Sequence, residues 1–192
     1  MYHLNLLNIN KKSIISLEKE IIVPKNITLI SRTDLEGNII YYNLEFAKIS
    51  GYSKRELINM PHNILRHPDM PKAIFYFIWK NLLDGRDTYG IIKNRSKDGN
   101  FYWLYIKFIV QRDIENRPIS FLAEGKSVQK SIINKIEPLY KNLLKEEKKN
   151  GLESSIKKLH YILNKKNIAS YNDYILKLIE NKKHSFLPNL KF

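Results

Sequence analysis

The apolar positions change period along the chain, and each change marks an element. Ile27 to Arg32 reads as a strand, the run Asp34-Leu35-Glu36-Gly37-Asn38 as a tight turn, and Ile39 to Tyr42 as a second strand closing a hairpin. Asn43 is placed to cap a short helix, Leu44 to Ser50, which Gly51 ends. Ser53 and Glu56 form a capping box for another. Pro61 to Pro71 is a proline-bracketed loop dense in polar and cationic residues. After it Ile74, Phe75, Ile78, Trp79 and Leu82 recur at helical spacing, predicting a longer helix over Lys72 to Leu83 that stops at Gly85.

Strand signals then return over Tyr89 to Ser96, Phe101 to Gln111 and Ile119 to Gly125, separated by Lys97-Asp98-Gly99-Asn100 and Asn116-Arg117-Pro118. This order predicts an α+β domain: a five-stranded antiparallel sheet with short helices on one face. Val128, Ile132, Ile136, Leu139 and Leu143 then make one apolar stripe, the start of a C-terminal helical extension. Pro138 is expected to break or restart that helix, and Asn150-Gly151 to end it. A helix from Leu152 to Leu163 follows, and a capping box at Ser170 and Asp173 opens a third that reaches Asn181. The chain thus divides into an N-terminal arm over 1–20, with weak helical signals at Ile14, Ile15 and Leu17, an α+β domain over 21–127, and the extension over 128–192.

Composition narrows the chemistry. With 43% hydrophobic residues, 12 Tyr, 8 Phe and 2 Trp, the 192-residue chain can build a real core. Cysteine is absent, which excludes disulfides, thiolate zinc sites, iron–sulfur clusters and cysteinyl photoadducts. The five His residues lack metal-ligand spacing, so no metal site is expected. No apolar run approaches the ~18–20 residues of a membrane span. Ile14 to Val23 is interrupted by Glu18, Lys19 and Glu20 with no cleavage site after it, so the expectation is a cytoplasmic chain without signal peptide, anchor or membrane insertion. Of the net charge of +14, +8 lies after residue 127, in Lys pairs such as Lys148-Lys149 and Lys165-Lys166. Solvated helix faces account for such scatter, an anionic surface being the alternative. Without a helix-turn-helix or aromatic platform, nucleic acid is not an expected partner.

The run Pro61-His62-Asn63-Ile64-Leu65-Arg66-His67-Pro68-Asp69-Met70-Pro71 resembles the signature of PAS domains of the bacterial aerotaxis and energy-taxis receptor type. Ser50-Gly51-Tyr52-Ser53, Gly90-Ile91-Ile92-Lys93-Asn94-Arg95, Asp98-Gly99 with Tyr102-Trp103, and Glu137-Pro138-Leu139-Tyr140 stand in the family's order, so the likeness covers roughly residues 20–145. One position departs: the family often has Trp two residues before the glycine corresponding to Gly90, whereas this chain has Thr88.

The resemblance implies a PAS fold holding FAD without a covalent bond, as a non-catalytic redox or energy sensor in chemotaxis signal transduction. Receptors of the single-chain type continue into a membrane anchor and a methyl-accepting domain, absent here. The expectation is therefore a soluble subunit of a split system, recruited to the inner membrane face by a membrane-bound methyl-accepting chemotaxis-type transducer, with a homodimer as a further option.

The residues that the resemblance makes candidates for the flavin are Arg66, His67, Asp69, Trp79, Asn94 and Asn43. Arg66 and His67 precede a helix start, where cations and free N–H groups suit an anion; the plainer alternative has Asp69 capping the helix and pairing with Arg66. Trp79 offers either stacking surface or ordinary core. Asn94 can donate to or accept from a ring edge, and Asn43 can do the same or merely cap its helix. His62 reads as a structural histidine. Heme on His67 or His62, a domain with no cofactor that binds proteins, and a flavin-dependent oxidoreductase remain alternatives.

Overall fold

The computed structural model describes residues 18–180. Most of the expected arm, and Asn181 at the expected end of the last helix, therefore lie outside the described residues. Five antiparallel strands, β1 (Leu29–Thr33), β2 (Ile39–Tyr42), β3 (Thr88–Arg95), β4 (Phe101–Arg112) and β5 (Pro118–Ser127), form one sheet in the order β2-β1-β5-β4-β3. Helices α1 (Leu44–Ser50), α2 (Lys54–Leu57) and α3 (Lys72–Leu83), with a 3-10 turn at His62–Leu65, fall between β2 and β3. The expected α+β fold is the fold observed.

Strand alternation divides the sheet into two faces. Opposite one another in register, Gly90, Ile92 and Asn94 of β3 meet Ile106, Leu104 and Tyr102 of β4 on the face that α3 covers. Ile74, Ile78 and Leu82 of α3 are buried there. Gly90 permits this approach, because a Cβ at that position would stand 3.1 Å from Ile78 Cδ1. Ile91, Lys93 and Trp103 point to the other face, where the ring of Tyr140 stacks on Trp103 at 6.3 Å.

Tyr140 belongs to the extension, which forms α4 (Lys130–Lys165) and α5 (Tyr171–Glu180). Pro138 does not break α4, contrary to expectation; the break falls at Gly151, whose φ of 86° and ψ of 173° leave the helical region, so two helical runs meet there at a kink, where Asn150-Gly151 was expected to end the first. The ring of Pro138 lies on an exposed side, while Ile132, Ile133, Ile136, Tyr140 and Leu143 around it are buried. Burying that stripe outweighs one lost backbone hydrogen bond. Ser170 caps α5, with Asp173 N donating to Ser170 Oγ at 3.1 Å and that hydroxyl donating to Asp173 Oδ2 at 2.7 Å. No helix among the described residues is long and apolar enough to cross a membrane.

A cavity between the sheet and helix α3

Between the inner sheet face and α3 lies a cavity of about 80 Å³, room for several waters. Ile92, Ile106, Phe108 and Phe121 supply its sheet wall and Phe75, Ile78, Trp79 and Leu82 its helix wall. Trp79 stands edge-on to Phe121 with ring centres 5.6 Å apart. Ser31, Thr33, His62, Asn63, Arg66 and Asn94 add polar groups. The wall is mostly apolar with a few converging polar atoms, the usual make-up of a small-molecule site.

The loop signature and β3 meet at this cavity. Arg66 and Asn94 form an isolated antiparallel bridge, so the loop joins the free edge of β3 where both side chains reach the cavity wall. Arg66 is 6% exposed, and its guanidinium donates to Met70 O at 2.9 Å and lies 4.5 Å over the Phe75 ring. Its Nε is buried without a hydrogen-bond partner among the described residues. Burial lowers its pKa to about 10, partly offset by the charge of Glu147, and it stays cationic. The hydroxyl of buried Tyr102, across from Asn94, also lacks a partner at hydrogen-bond geometry.

His62 bonds Ser31 Oγ at 2.9 Å. It lines the cavity half-buried, and desolvation there pushes its pKa down to about 4. It is therefore neutral at physiological pH, and among the described residues lining the cavity Arg66 is the one full charge.

The remaining candidates lie off the cavity wall. Asn43 caps α1, accepting from Phe46 N at 3.0 Å, and ties that helix to β1 by accepting from Ile30 N and donating to Thr28 O. His67 is buried behind the loop, bonded through Nε2 to Glu18 at 2.8 Å and accepting at Nδ1 from Asp69 N. Burial lowers its pKa against the opposing pull of Glu18. Asp69 neither caps α3 nor pairs with Arg66, the plainer alternative drawn from the sequence. Pro71 is the N-cap, and Asp69 pairs with Lys93 Nζ at 2.6 Å. Burial raises the Asp69 pKa, but the Lys93 bond and charge outweigh it and leave the carboxyl below its ordinary value. Lys93 stands in a motif of the resemblance, but its pairing with Asp69 escapes sequence reasoning because the two residues come from segments 24 residues apart. Ser31 and Thr33 were accessible to it, since alternation from Leu29 turns both towards the inner face.

A profile of the PAS fold matches residues 39–123. The aerotaxis receptor of Escherichia coli strain K12 is 40% identical over 116 residues, 60% of this chain and 23% of the receptor. A nitrogen fixation regulatory protein of Klebsiella oxytoca is 36% identical over 73 residues, 38% of this chain and 15% of that protein. The chain thus spans less than a quarter of the length of these curated relatives. Among solved structures, a light-oxygen-voltage domain studied with a flavin analogue superposes with a TM-score of 0.51 at 23% identity, covering 60% of this chain and 86% of that one. The light state of the blue-light photoreceptor Aureochrome1 LOV gives 0.51 at 20% identity, covering 62% and 90%. At these identities the likeness is one of fold.

Proposed function

We propose that the chain, whose residues 39–123 match a profile of the PAS fold, is an FAD-binding redox sensor that reports to a membrane-bound chemotaxis-type transducer and catalyses nothing itself. The observation that carries this reading is the buried Nε of Arg66, without a partner among the described residues, at a mostly apolar cavity wall. A buried donor without a partner is costly, about 1–3 kcal/mol or more for a charged group, so it points to an acceptor supplied by a ligand. The 40% identity with a protein named as an aerotaxis receptor supports the taxis side of the proposal.

The residues present suit the chemistry of a flavin. Arg66 and Asn94 would meet the polar edge of a flat ring, and Trp79 and Phe121, in edge-on contact at 5.6 Å, would have to part to admit it between helix and sheet. FAD, when bound, supplies a group that takes up electrons together with protons. Arg66 then stabilises added negative charge, and the Asn94 amide can exchange donor for acceptor by turning over. Asn94 is the bridge partner of the loop, so its reorientation bears on the free edge of β3. Heme is disfavoured because His67 and His62 are already engaged by Glu18 and Ser31. We place the sensor in the cytoplasm, recruited to the membrane by its transducer.

Absorbance of the purified chain after incubation with FAD, before and after dithionite, tests the reading. A flavin spectrum that bleaches on reduction is the expected result. A colourless protein after FAD incubation and desalting overturns it, and a Soret band would replace flavin by heme.

A further inference from the structure

A chain of hydrogen bonds leads from α3, the helix wall of the cavity, across the start of β3 to α5. Asn81, in the last turn of α3, donates through Nδ2 to Thr88 Oγ1 at 3.2 Å. The Thr88 hydroxyl donates in turn to Asn172 Oδ1 of α5 at 3.2 Å. The direction of the chain is fixed at both ends. Asn81 Oδ1 is taken by Arg86 Nη2 at 3.1 Å, which turns the Asn81 amide nitrogen towards Thr88. Asn172 Oδ1 also accepts from Tyr89 N at 2.9 Å, so this oxygen, which cannot donate, faces the Thr88 hydroxyl. Thr88 is fully buried, and its single proton and a lone pair are both in use. The indole that the family often has at this position only donates and could not accept from Asn81, so the arrangement belongs to this chain.

We propose that Thr88 is a relay between the cavity and the end of the extension, its hydroxyl passing a displacement of α3 on to the docking of α5. The proposal rests on the reading of the cavity as a cofactor site and adds how occupancy is passed on. Trp79 of α3 and Phe121 of the sheet must part to admit a flat ring, so a ligand moves α3 away from the strands. Asn81 follows Trp79 by two residues on that helix, and its bond to Thr88, at 3.2 Å, is already at the long end for an N–H donor. A hydroxyl that accepts one bond donates a stronger one, so withdrawal of Asn81 weakens the bond from Thr88 to Asn172. The α5 helix then leans on Tyr89 N and on its buried Tyr171 and Ile175. Coupling of this kind is reciprocal: docked α5 opposes the ligand by the factor by which the ligand opposes docking.

Backbone hydrogen exchange over 174–180 in the full chain, with 134–143 of α4 as reference, tests the relay. FAD added to the wild-type chain is expected to speed exchange over 174–180 by about 5-fold, the worth of one neutral hydrogen bond, and to leave the reference steady. Thr88→Val keeps the shape of the side chain and discards the hydroxyl. It should show the faster exchange without ligand and no further response to FAD, whereas Thr88→Ser should respond as the wild type does. A response to FAD that persists undiminished in Thr88→Val, or FAD uptake by the wild type with no change over 174–180, overturns the relay. If the wild-type chain takes up no FAD, the flavin reading falls and the relay is judged in ligand-free protein by Asn81→Ala, which removes the first donor. The same variant serves if Thr88→Val does not fold. Faster exchange over 174–180 with a steady reference supports the relay; unchanged exchange, or equal acceleration in both segments, overturns it.

Discussion

Arg66 is held where a guanidinium is expensive to keep: 6% exposed, one bond to Met70 O, one ring face, and an Nε with no partner among the described residues. Arg66→Met keeps the length and apolar contact of the side chain but removes the cation. It is expected to weaken FAD uptake by about 10- to 100-fold, the worth of a charged hydrogen bond of about 1.5–3 kcal/mol, as read by fluorescence titration. His62 supplies the pH dependence. Burial lowers its pKa to about 4 from the ordinary value of 6.5, so below that ordinary value the unfolded chain takes up a proton that the folded one refuses. Stability should therefore be full above about pH 6.5 and fall as the pH drops towards 4, by at most roughly 3 kcal/mol. Urea unfolding at pH 7 and pH 4.5 measures this, and His62→Gln, which can still bond Ser31, should flatten that part of the profile. Of the wall residues, Arg66, Trp79 and Asn94 were legible because a loop motif, a helical stripe and a strand register point to them. The roles of His67 and Asp69 were not, since their partners Glu18 and Lys93 come from distant segments, whereas the helix cap read at Asn43 is what that residue forms.

At the scale of elements, the pairing of α3 with β3 depends on a missing side chain. Gly90→Val would push a Cβ to within 3.1 Å of Ile78 Cδ1 and 3.4 Å of the Phe108 ring, so the cavity walls must move. Such overpacking costs typically about 1–3 kcal/mol, and the variant should show both a lower urea midpoint and reduced FAD uptake. Tyr140→Phe tests the opposite face. It leaves Ile91 O and the Tyr171 hydroxyl without their shared partner, a loss of about 1–3 kcal/mol in chemical unfolding. Strand and helix limits were legible almost throughout, since period, turns and caps agree. Pro138 misled because local propensity argued for a break, whereas the buried residues on either side of it decided for continuity. Gly151 was legible as the end of the first helical run, which its non-helical backbone bears out, and the run beyond it buries Ser155, Leu159 and Leu163.

For the whole molecule, the order β2-β1-β5-β4-β3 leaves β3 at one margin, and that margin is closed by side chains rather than by a neighbouring strand. The loop bridges it at Asn94, Met70 Sδ accepts from Lys93 N, Tyr140 takes Ile91 O and Asn172 takes Tyr89 N. Removing residues 128–192 uncovers much of that margin together with Trp103. The shortened chain is expected to self-associate at concentrations where the full chain does not, as read by light scattering after size exclusion. The sheet order follows from hairpin signals and the compact α+β pattern. That the helices after the last strand would seal its far margin could not be read: Tyr140 stands in a motif of the resemblance and Asn172 on an expected helix, but neither position points to Ile91 O or Tyr89 N as its partner. A fibre built by lateral strand stacking needs a receptive rim at both ends of every subunit's sheet. Here one rim is sealed, so any such joining through β2 terminates after a single pair and cannot propagate.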